Sequence, residues 1–391
     1  MMRTIDDAPL NDKYVLVRVD FNVPIKEGRV ENDARIRKAI PTIEKILELG
    51  AKKIILCSHL GRPGGKYDEK YSMRPVYERL KEDFDNIGFD EIFDLKNLVR
   101  EDLPETRIVL IENLRFEQGE KENHLKFASS LASLADIFVF DAFGVAHREQ
   151  ASVTGVMKYL PTYFGYLMAK EVLELKDHMK KPEHPFTAII SGAKADKINI
   201  INNLLKKIDN LIIGGVLANT FLKAKGYNIG ESKFDEEGLE FAKKVMKDYP
   251  KKVDIPEDVL LADKFDERAE TKYSSVEDIE DGWIAVDIGP KTIESYTKIL
   301  KKSKTIIMAG PIGVFEVDEF SNGTKSIGKV LANSKAKTII GGGDTVAAIE
   351  KFGLQDDMTH VSTGGGASLE LLGGNDLPAI SELENNIKKF P

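Results

Sequence analysis

Short β-branched apolar runs alternate with amphipathic segments of helical length from one end of the chain to the other. In the first half the runs Tyr14–Val19, Ile54–Cys57, Ile108–Ile111 and Ile137–Asp141 predict strands. Helical patterns lie between them, clearest at Arg35–Leu49, where Ile36, Ile40, Ile43, Ile46 and Leu47 share one face. In the second half strands are predicted at Thr187–Ile190, Leu211–Ile213, Ile284–Val286, Thr305–Met308, Thr338–Ile340 and His360–Val361. This order implies βαβ units, an α/β fold and mainly parallel sheets. At 391 residues the chain exceeds what one core usually spans, so two domains are expected. Residues 163–180 read as one long helix that stops at Lys181-Pro182-Glu183-His184-Pro185, where two prolines break it. The helix therefore separates a first domain, 1–162, from a second that begins at 181.

Composition adds little to the fold and something to the chemistry. An apolar content of 42% and a charged content of 31% belong to a globular chain. The net charge of −8 argues against a dedicated nucleic-acid binder. The segment after Met1 lacks the apolar stretch of a signal peptide, and no run approaches the roughly 20 apolar residues of a membrane span. The single cysteine, Cys57, ends an apolar strand and is expected to be a buried structural thiol. A cytoplasmic, membrane-free protein is expected. Twelve of the thirteen arginines lie in residues 1–150, whereas 21 of the 31 glycines follow residue 181. Arginine is a permanently charged fork suited to phosphate and carboxylate, and glycine lets backbone N–H groups approach phosphates. One half thus looks built for a small anionic ligand and the other for a nucleotide.

The arginines fall where an open parallel sheet binds its ligands, at the carboxyl ends of strands. Val17-Arg18-Val19-Asp20-Phe21-Asn22-Val23-Pro24 ends the first strand and Ser58-His59-Leu60-Gly61-Arg62-Pro63 the second. Glu112-Asn113-Leu114-Arg115-Phe116 and Asp141-Ala142-Phe143-Gly144-Val145-Ala146-His147-Arg148 follow the next two, and Arg35 opens a helix. Positive or donor groups from several strand ends on one rim define a candidate anion site. His59 is either a ligand contact or a hydrogen-bonded loop residue. Asp20 pairs either with Arg18 or with Arg35.

In the second half Gly341-Gly342-Gly343-Asp344-Thr345 joins a strand to a helix, giving free N–H groups and a partial positive charge. Asp344 is a candidate Mg²⁺ ligand or else an N-cap. A second glycine run, Ser362–Ser368, repeats the arrangement after His360–Val361. Lys194 and Lys197 follow the strand Thr187–Ile190 and are either point charges for a phosphoryl group or solvated surface lysines. Gly310-Pro311-Ile312-Gly313-Val314-Phe315-Glu316 is a candidate nucleotide-pocket wall, with Glu316 facing ribose, and Trp283 is expected in the core. Walker A, protein-kinase and paired zinc-ligand motifs are absent. No G-x-G-x-x-G follows the first strand, which weakens a nicotinamide-dependent oxidoreductase. A non-catalytic two-lobed binding protein for a phosphorylated acid is the other alternative, and the second, glycine-built phosphate site argues against it.

Taken in order, Val17–Pro24, Ser58–Pro63, Asn113–Phe116, Asp141–Gly144, Asp287–Pro290, Gly341–Thr345 and Val361–Leu371 resemble the signature segments of the phosphoglycerate kinase family. They cover the chain from end to end. The resemblance implies two Rossmann-like three-layer domains joined by the helix, a triose-acid domain 1–162 and a nucleotide domain 181–374, with the tail 375–391 packing back on the first. It implies Mg²⁺-dependent, reversible transfer from 1,3-bisphosphoglycerate to ADP, giving 3-phosphoglycerate and ATP on domain closure, by a monomer. By position, Asp20, Asn22, Arg35, His59, Arg62, Arg115 and Arg148 resemble the acid ligands, and Arg35 also the catalytic arginine. Lys194 and Lys197 resemble the lysines that hold the transferring and nucleotide phosphates. Gly214, Gly313, Glu316, Gly341, Gly342, Gly343, Asp344 and Thr345 resemble nucleotide contacts, with Asp344 at the metal. Gly364, Gly365 and Gly366 resemble the turn that stabilises the transferring group. Two departures stand out. Met308-Ala309 precede Gly310 where the family usually has Trp-Asn, so another donor or water must replace that amide. The two lysines are three residues apart instead of four, which leaves Lys197 less securely matched than Lys194.

Overall fold

The computed structural model describes residues 2–90, 95–192 and 197–391. Two compact units emerge, Met1–Leu173 with Asp376–Pro391, and Glu174–Asn375. Each is built on a six-stranded, all-parallel sheet.

In the first unit the strand order is Ile87–Asp90, Ile108–Ile111, Lys53–Cys57, Tyr14–Val19, Ile137–Asp141 and Thr162–Phe164. Its central strands are buried residue after residue, as strands covered on both faces must be. The helix Ala34–Glu48 lays Ile36, Ala39, Ile43 and Ile46 against that sheet. The chain runs from Tyr14–Val19 outward to one side and later returns to Ile137–Asp141 on the other. That reversal places a crevice at the carboxyl ends of these strands. Cys57 is buried in the second strand and its thiol is pushed up to about 12 by burial, so it is inert.

The second unit orders its sheet Val253–Asp254, Asn210–Gly214, Phe186–Ser191, Thr305–Ala309, Lys337–Gly341 and His360–Val361, reversing between Phe186–Ser191 and Thr305–Ala309. The run Ile284–Val286, expected within the parallel alternation, instead lies in the strand Ile284–Ile288 of a separate antiparallel sheet. It pairs with Asp258–Ala262, which also pairs with Thr271–Ser275. Trp283 is only half-buried at the edge of the small cluster formed there, with Lys272 Nζ 4.3 Å from its ring centroid.

The long helix begins at Tyr166, not at 163. Thr162–Phe164 pair with Phe138–Phe140 as an edge strand, and Gly165 then donates to the Phe140 carbonyl at 3.1 Å. Asp141 Oδ1 accepts from Met168 N at 2.9 Å, and Thr42 Oγ1 from Tyr166 N at 3.0 Å, satisfying free N–H groups of the new helix. The tail helix Pro378–Lys389 belongs to the first unit. Its buried Asn386 accepts from Thr162 N at 2.9 Å and donates to the Leu160 carbonyl at 2.8 Å.

Candidate active site

The rim of the first sheet is assembled around Arg18. A strand position that faces the interior puts this side chain wholly inside. Its Nε donates to Ser152 Oγ at 2.9 Å and Nη1 to the Val19 carbonyl, while Nη2 lies 3.0 Å from His59 Nδ1. Ser152 in turn donates to the buried Glu120, from Oγ at 2.6 Å and from N at 2.9 Å. A guanidinium only donates, so His59 Nδ1 accepts and the ring proton sits on Nε2. Burial, then Arg18, Arg115, Arg148 and Arg35, hold the imidazole well below its ordinary pKa. His59 is therefore a neutral Nε2–H donor. From sequence Arg18 is expected on the anion-binding rim or paired with Asp20; instead it is buried and committed to Ser152, the Val19 carbonyl and His59, partners that, with Glu120, the sequence did not reveal.

Asp20 pairs with Arg35, Oδ2 accepting from Nη1 at 2.9 Å, and its Oδ1 accepts from Asn22 N at 3.3 Å. Asn22 Oδ1 accepts from Gly61 N at 2.9 Å, and Arg115 Nη1 donates to the Gly61 carbonyl at 2.6 Å. Gly61 has φ +59°, and an added Cβ would lie 2.3 Å from the Tyr71 ring, so only glycine fits this turn. The turn thus links Asn22 to Arg115 and carries the exposed Arg62. Burial and the neighbouring Arg148 and Arg18 push Arg115 down to about 10. Arg148 is lowered by burial and by Arg62. Mutual repulsion among arginines is relieved by an anion, and Asp20 is the carboxylate paired within this rim.

In the second unit Gly342, at φ +95°, caps the helix Gly343–Lys351, whose first N–H groups have no partner within the helix. Gly343 and Asp344 are exposed, and among the described residues no side-chain bond holds Asp344, so it is not the N-cap. The Thr345 hydroxyl is buried and spent, donating to the Gly341 carbonyl at 2.8 Å and accepting from Gly310 N at 2.7 Å. Its backbone N–H is what remains for a ligand. The two glycine turns face one another: a Cβ on Gly365 would lie 4.0 Å from Gly343 N, and Gly366 is exposed at the start of Gly366–Leu372.

Gly214 and Gly313 have packing roles. A Cβ on Gly214 would lie 3.0 Å from Ile312 Cδ1, and one on Gly313 2.2 Å from Asp287 Oδ1. Gly313 N already donates to Thr324 Oγ1 at 3.0 Å. Glu316 is exposed at the end of that loop. Lys194 lies outside the described residues, as does the side chain of Lys197, whose backbone opens the helix Lys197–Leu204. Among the described residues no group of three or more His, Cys, Asp or Glu side chains can hold a metal. None of their helices is long and apolar enough to cross a membrane.

Two parallel α/β units, one rimmed by arginines and one by paired glycine turns, are the fold and the donor set of a phosphoryl-transfer enzyme. The sequence model of the family described as phosphoglycerate kinase matches residues 5–375. A phosphoglycerate kinase of Pseudothermotoga lettingae is 45% identical, over 98% of this chain and 99% of its own length. One of Clostridium kluyveri is 46% identical over 98% of each. Solved phosphoglycerate kinases of Coxiella burnetii and Pyrococcus horikoshii superpose with TM-scores of 0.86 and 0.84. They are 40% and 30% identical and cover 98% and 100% of this chain, and 99% and 100% of their own. The chain belongs to the phosphoglycerate kinase family. It is a glycolytic phosphotransferase acting between phosphoglycerate and adenine nucleotide, and the oxidoreductase and non-catalytic readings have no support.

Proposed function

We propose that the arginine rim, with Asp20, Asn22 and His59, holds the triose acid, and that the glycine turns hold the nucleotide phosphates. The observation that carries this reading is the crowding of Arg62, Arg115 and Arg148, with two of them pushed below their ordinary range. Such a cluster is stable when a multiply charged anion sits among them. Asp344 suits Mg²⁺, which takes one or two carboxylates together with phosphate oxygens, and the exposed, uncommitted carboxylate beside the turn fits that role. Bound there, Mg²⁺ would neutralise charge on the nucleotide phosphates.

The leaving group of an acyl phosphate is a carboxylate, so the reaction needs in-line positioning and charge stabilisation instead of a general base. In the proposed mechanism Asp20 orients Arg35 toward the transferring group. His59 donates from Nε2 to the acid, and the amides at Gly343, Asp344 and Gly366 receive phosphate oxygens. Lys194 and Lys197 supply mobile charge. In-line transfer demands that the two bound ligands meet, so closure belongs to the proposal. A single cysteine that is buried and unreactive accords with a reducing cytoplasm, where we place the enzyme as a monomer.

ATP formation from 1,3-bisphosphoglycerate and ADP, with and without Mg²⁺, tests this reading beside Arg35→Ala. The expected result is Mg²⁺-dependent ATP, with kcat in the variant reduced roughly 10²–10³-fold and KM changed much less. Equal falls in kcat and in substrate affinity would contradict the role given to Arg35.

A further inference from the structure

One buried polar side chain on the arginine rim has no role in the proposal above. Gln150 is 6% exposed, and its Oε1 is buried without a hydrogen-bond partner. Gln150 lines a cavity of about 560 Å³ together with Arg62, Arg115 and Arg148. Glu117 and Glu122 also border that cavity, as does Lys121. With Oε1 sealed into the protein, the NH₂ group is the polar end that Gln150 can present to the cavity.

Its position is fixed by the backbone. The Gln150 carbonyl accepts from Val153 N at 3.0 Å, Thr154 N at 3.0 Å and Gly155 N at 3.2 Å. Two residues on, Ser152 is tied to both Glu120 and Arg18. The segment that sets Gln150 is thus anchored to the same buried network that sets His59. A burial of this kind, in a rigid turn and beside three cations, is costly for an amide that binds nothing.

The geometry points to Gln150 as a further substrate-contacting residue, whose amide N–H groups donate to the phosphate end of the triose acid. Part of the arginines' donor capacity is already committed, Arg115 Nη1 to the Gly61 carbonyl and Arg148 Nε to His147 Nε2. With Lys121 also on the cavity, a further cation would add to the repulsion already pressing on Arg115 and Arg148, whereas a neutral donor adds a hydrogen bond without it. This inference rests on the arginine rim being the acid site.

The test uses the full chain with Gln150→Met, close in shape and lacking the donor, Gln150→Glu, and Arg148→Ala as a control on the rim itself. Steady-state KM for 3-phosphoglycerate and for MgATP, kcat, and calorimetric binding of 3-phosphoglycerate are measured for each. In Gln150→Met, KM for 3-phosphoglycerate is expected to rise at least about tenfold, the range of one hydrogen bond to a charged acceptor. There kcat and KM for MgATP should stay within about twofold. Gln150→Glu should raise the same KM further, because a carboxylate faces the phosphate. An unchanged KM for 3-phosphoglycerate in Gln150→Met overturns the assignment. If Arg148→Ala abolishes binding in that case, the rim reading survives alone; if Arg148→Ala is also silent, both have failed. Parallel losses in every parameter with a lower Tm make Gln150 a packing residue and equally overturn it. Should Gln150→Met not fold, the same split between the two KM values in Gln150→Glu decides.

Discussion

At position 59 burial and four arginines act in the same direction, and the consequence is a pH dependence with a definite sign. The folded pKa of His59 is depressed below 6.5. Below pH 6.5 the unfolded chain binds a proton there that the folded protein refuses. This contribution to stability is present above 6.5 and is lost as pH falls, at up to about 1.4 kcal/mol per pH unit for one proton. Asp141 and Asp287 have the opposite sign. Burial raises them to about 6 and about 7, so the folded protein keeps protons that the unfolded chain has released above 3.8. Their contributions are lost as pH rises through those values. His59→Asn keeps an acceptor for Arg18 while removing the titrating ring. Denaturant unfolding of wild type and variant between pH 8 and 5 should give curves that converge at low pH, with the wild type losing more stability on acidification. Parallel curves would mean that His59 is not held neutral. That histidine was legible in the sequence as a rim residue, but its tautomer was not. The atom that decides it, Arg18 Nη2, lies 41 residues away in the chain, and Ser152, which holds Arg18, lies 134 residues from Arg18.

Between elements, the glycine turns separate a conformational need from a ligand's need. Gly342 is at φ +95° and ψ 135°, a sparsely populated region that costs an L-residue about 1–3 kcal/mol. Gly342→Ala should therefore lower stability and weaken nucleotide binding together. Gly343 has no such φ, and a Cβ there would meet nothing within 4 Å. Gly343→Ala should fold with wild-type stability, and its effect should be confined to the nucleotide. KM for ADP is expected to rise at least about tenfold if phosphate oxygens approach that backbone, with KM for 3-phosphoglycerate unchanged. A wild-type KM for ADP in a normally folded Gly343→Ala would remove this turn from the phosphate site. Both turns could be read from sequence because glycine runs directly after apolar strands have few other uses. Elements away from strand ends were harder. Ile87–Asp90 and Thr162–Phe164 are short edge strands, and the second was absorbed into the helix that follows it. Ile284–Ile288 has the apolar content of a parallel strand and reveals its antiparallel partners only through long-range pairing with Asp258–Ala262. Gly313 and Gly214 matched nucleotide positions by resemblance, yet their contacts to Asp287 and Ile312 arise from chain segments that the motif does not contain.

Across the whole chain, arginine and glycine are segregated between the two halves of the sequence, an asymmetry visible before any fold was, and under the proposed function its reason is that each unit would bind a different anion by a different device. The return of the last residues to the first unit was visible only through resemblance, since nothing local in Asp376–Pro391 states which unit it joins. Its contacts there centre on the buried Asn386. Asn386 satisfies Thr162 N and the Leu160 and Met157 carbonyls, and Arg3 donates to the Phe390 carbonyl at 2.6 Å. Leu383 and Ile380 supply apolar burial beside them. Removing the Asn386 amide takes that partner from Thr162 N and the Met157 carbonyl, while the Leu160 carbonyl keeps the Thr162 hydroxyl at 3.0 Å. Each orphaned buried group costs about 1–3 kcal/mol, partly recovered by water, so Asn386→Ala should destabilise its unit by about 2–4 kcal/mol. The loss should be local. Native-state hydrogen exchange should show the amides of Tyr14–Val19 and Ile137–Asp141 opening more readily, while those of Phe186–Ser191 in the other unit keep their protection. Because Asn386 touches no group of the proposed site, KM values should hold at temperatures where the variant stays folded. Equal acceleration in both units, or none in either, would show that the tail does not stabilise the first unit through this residue.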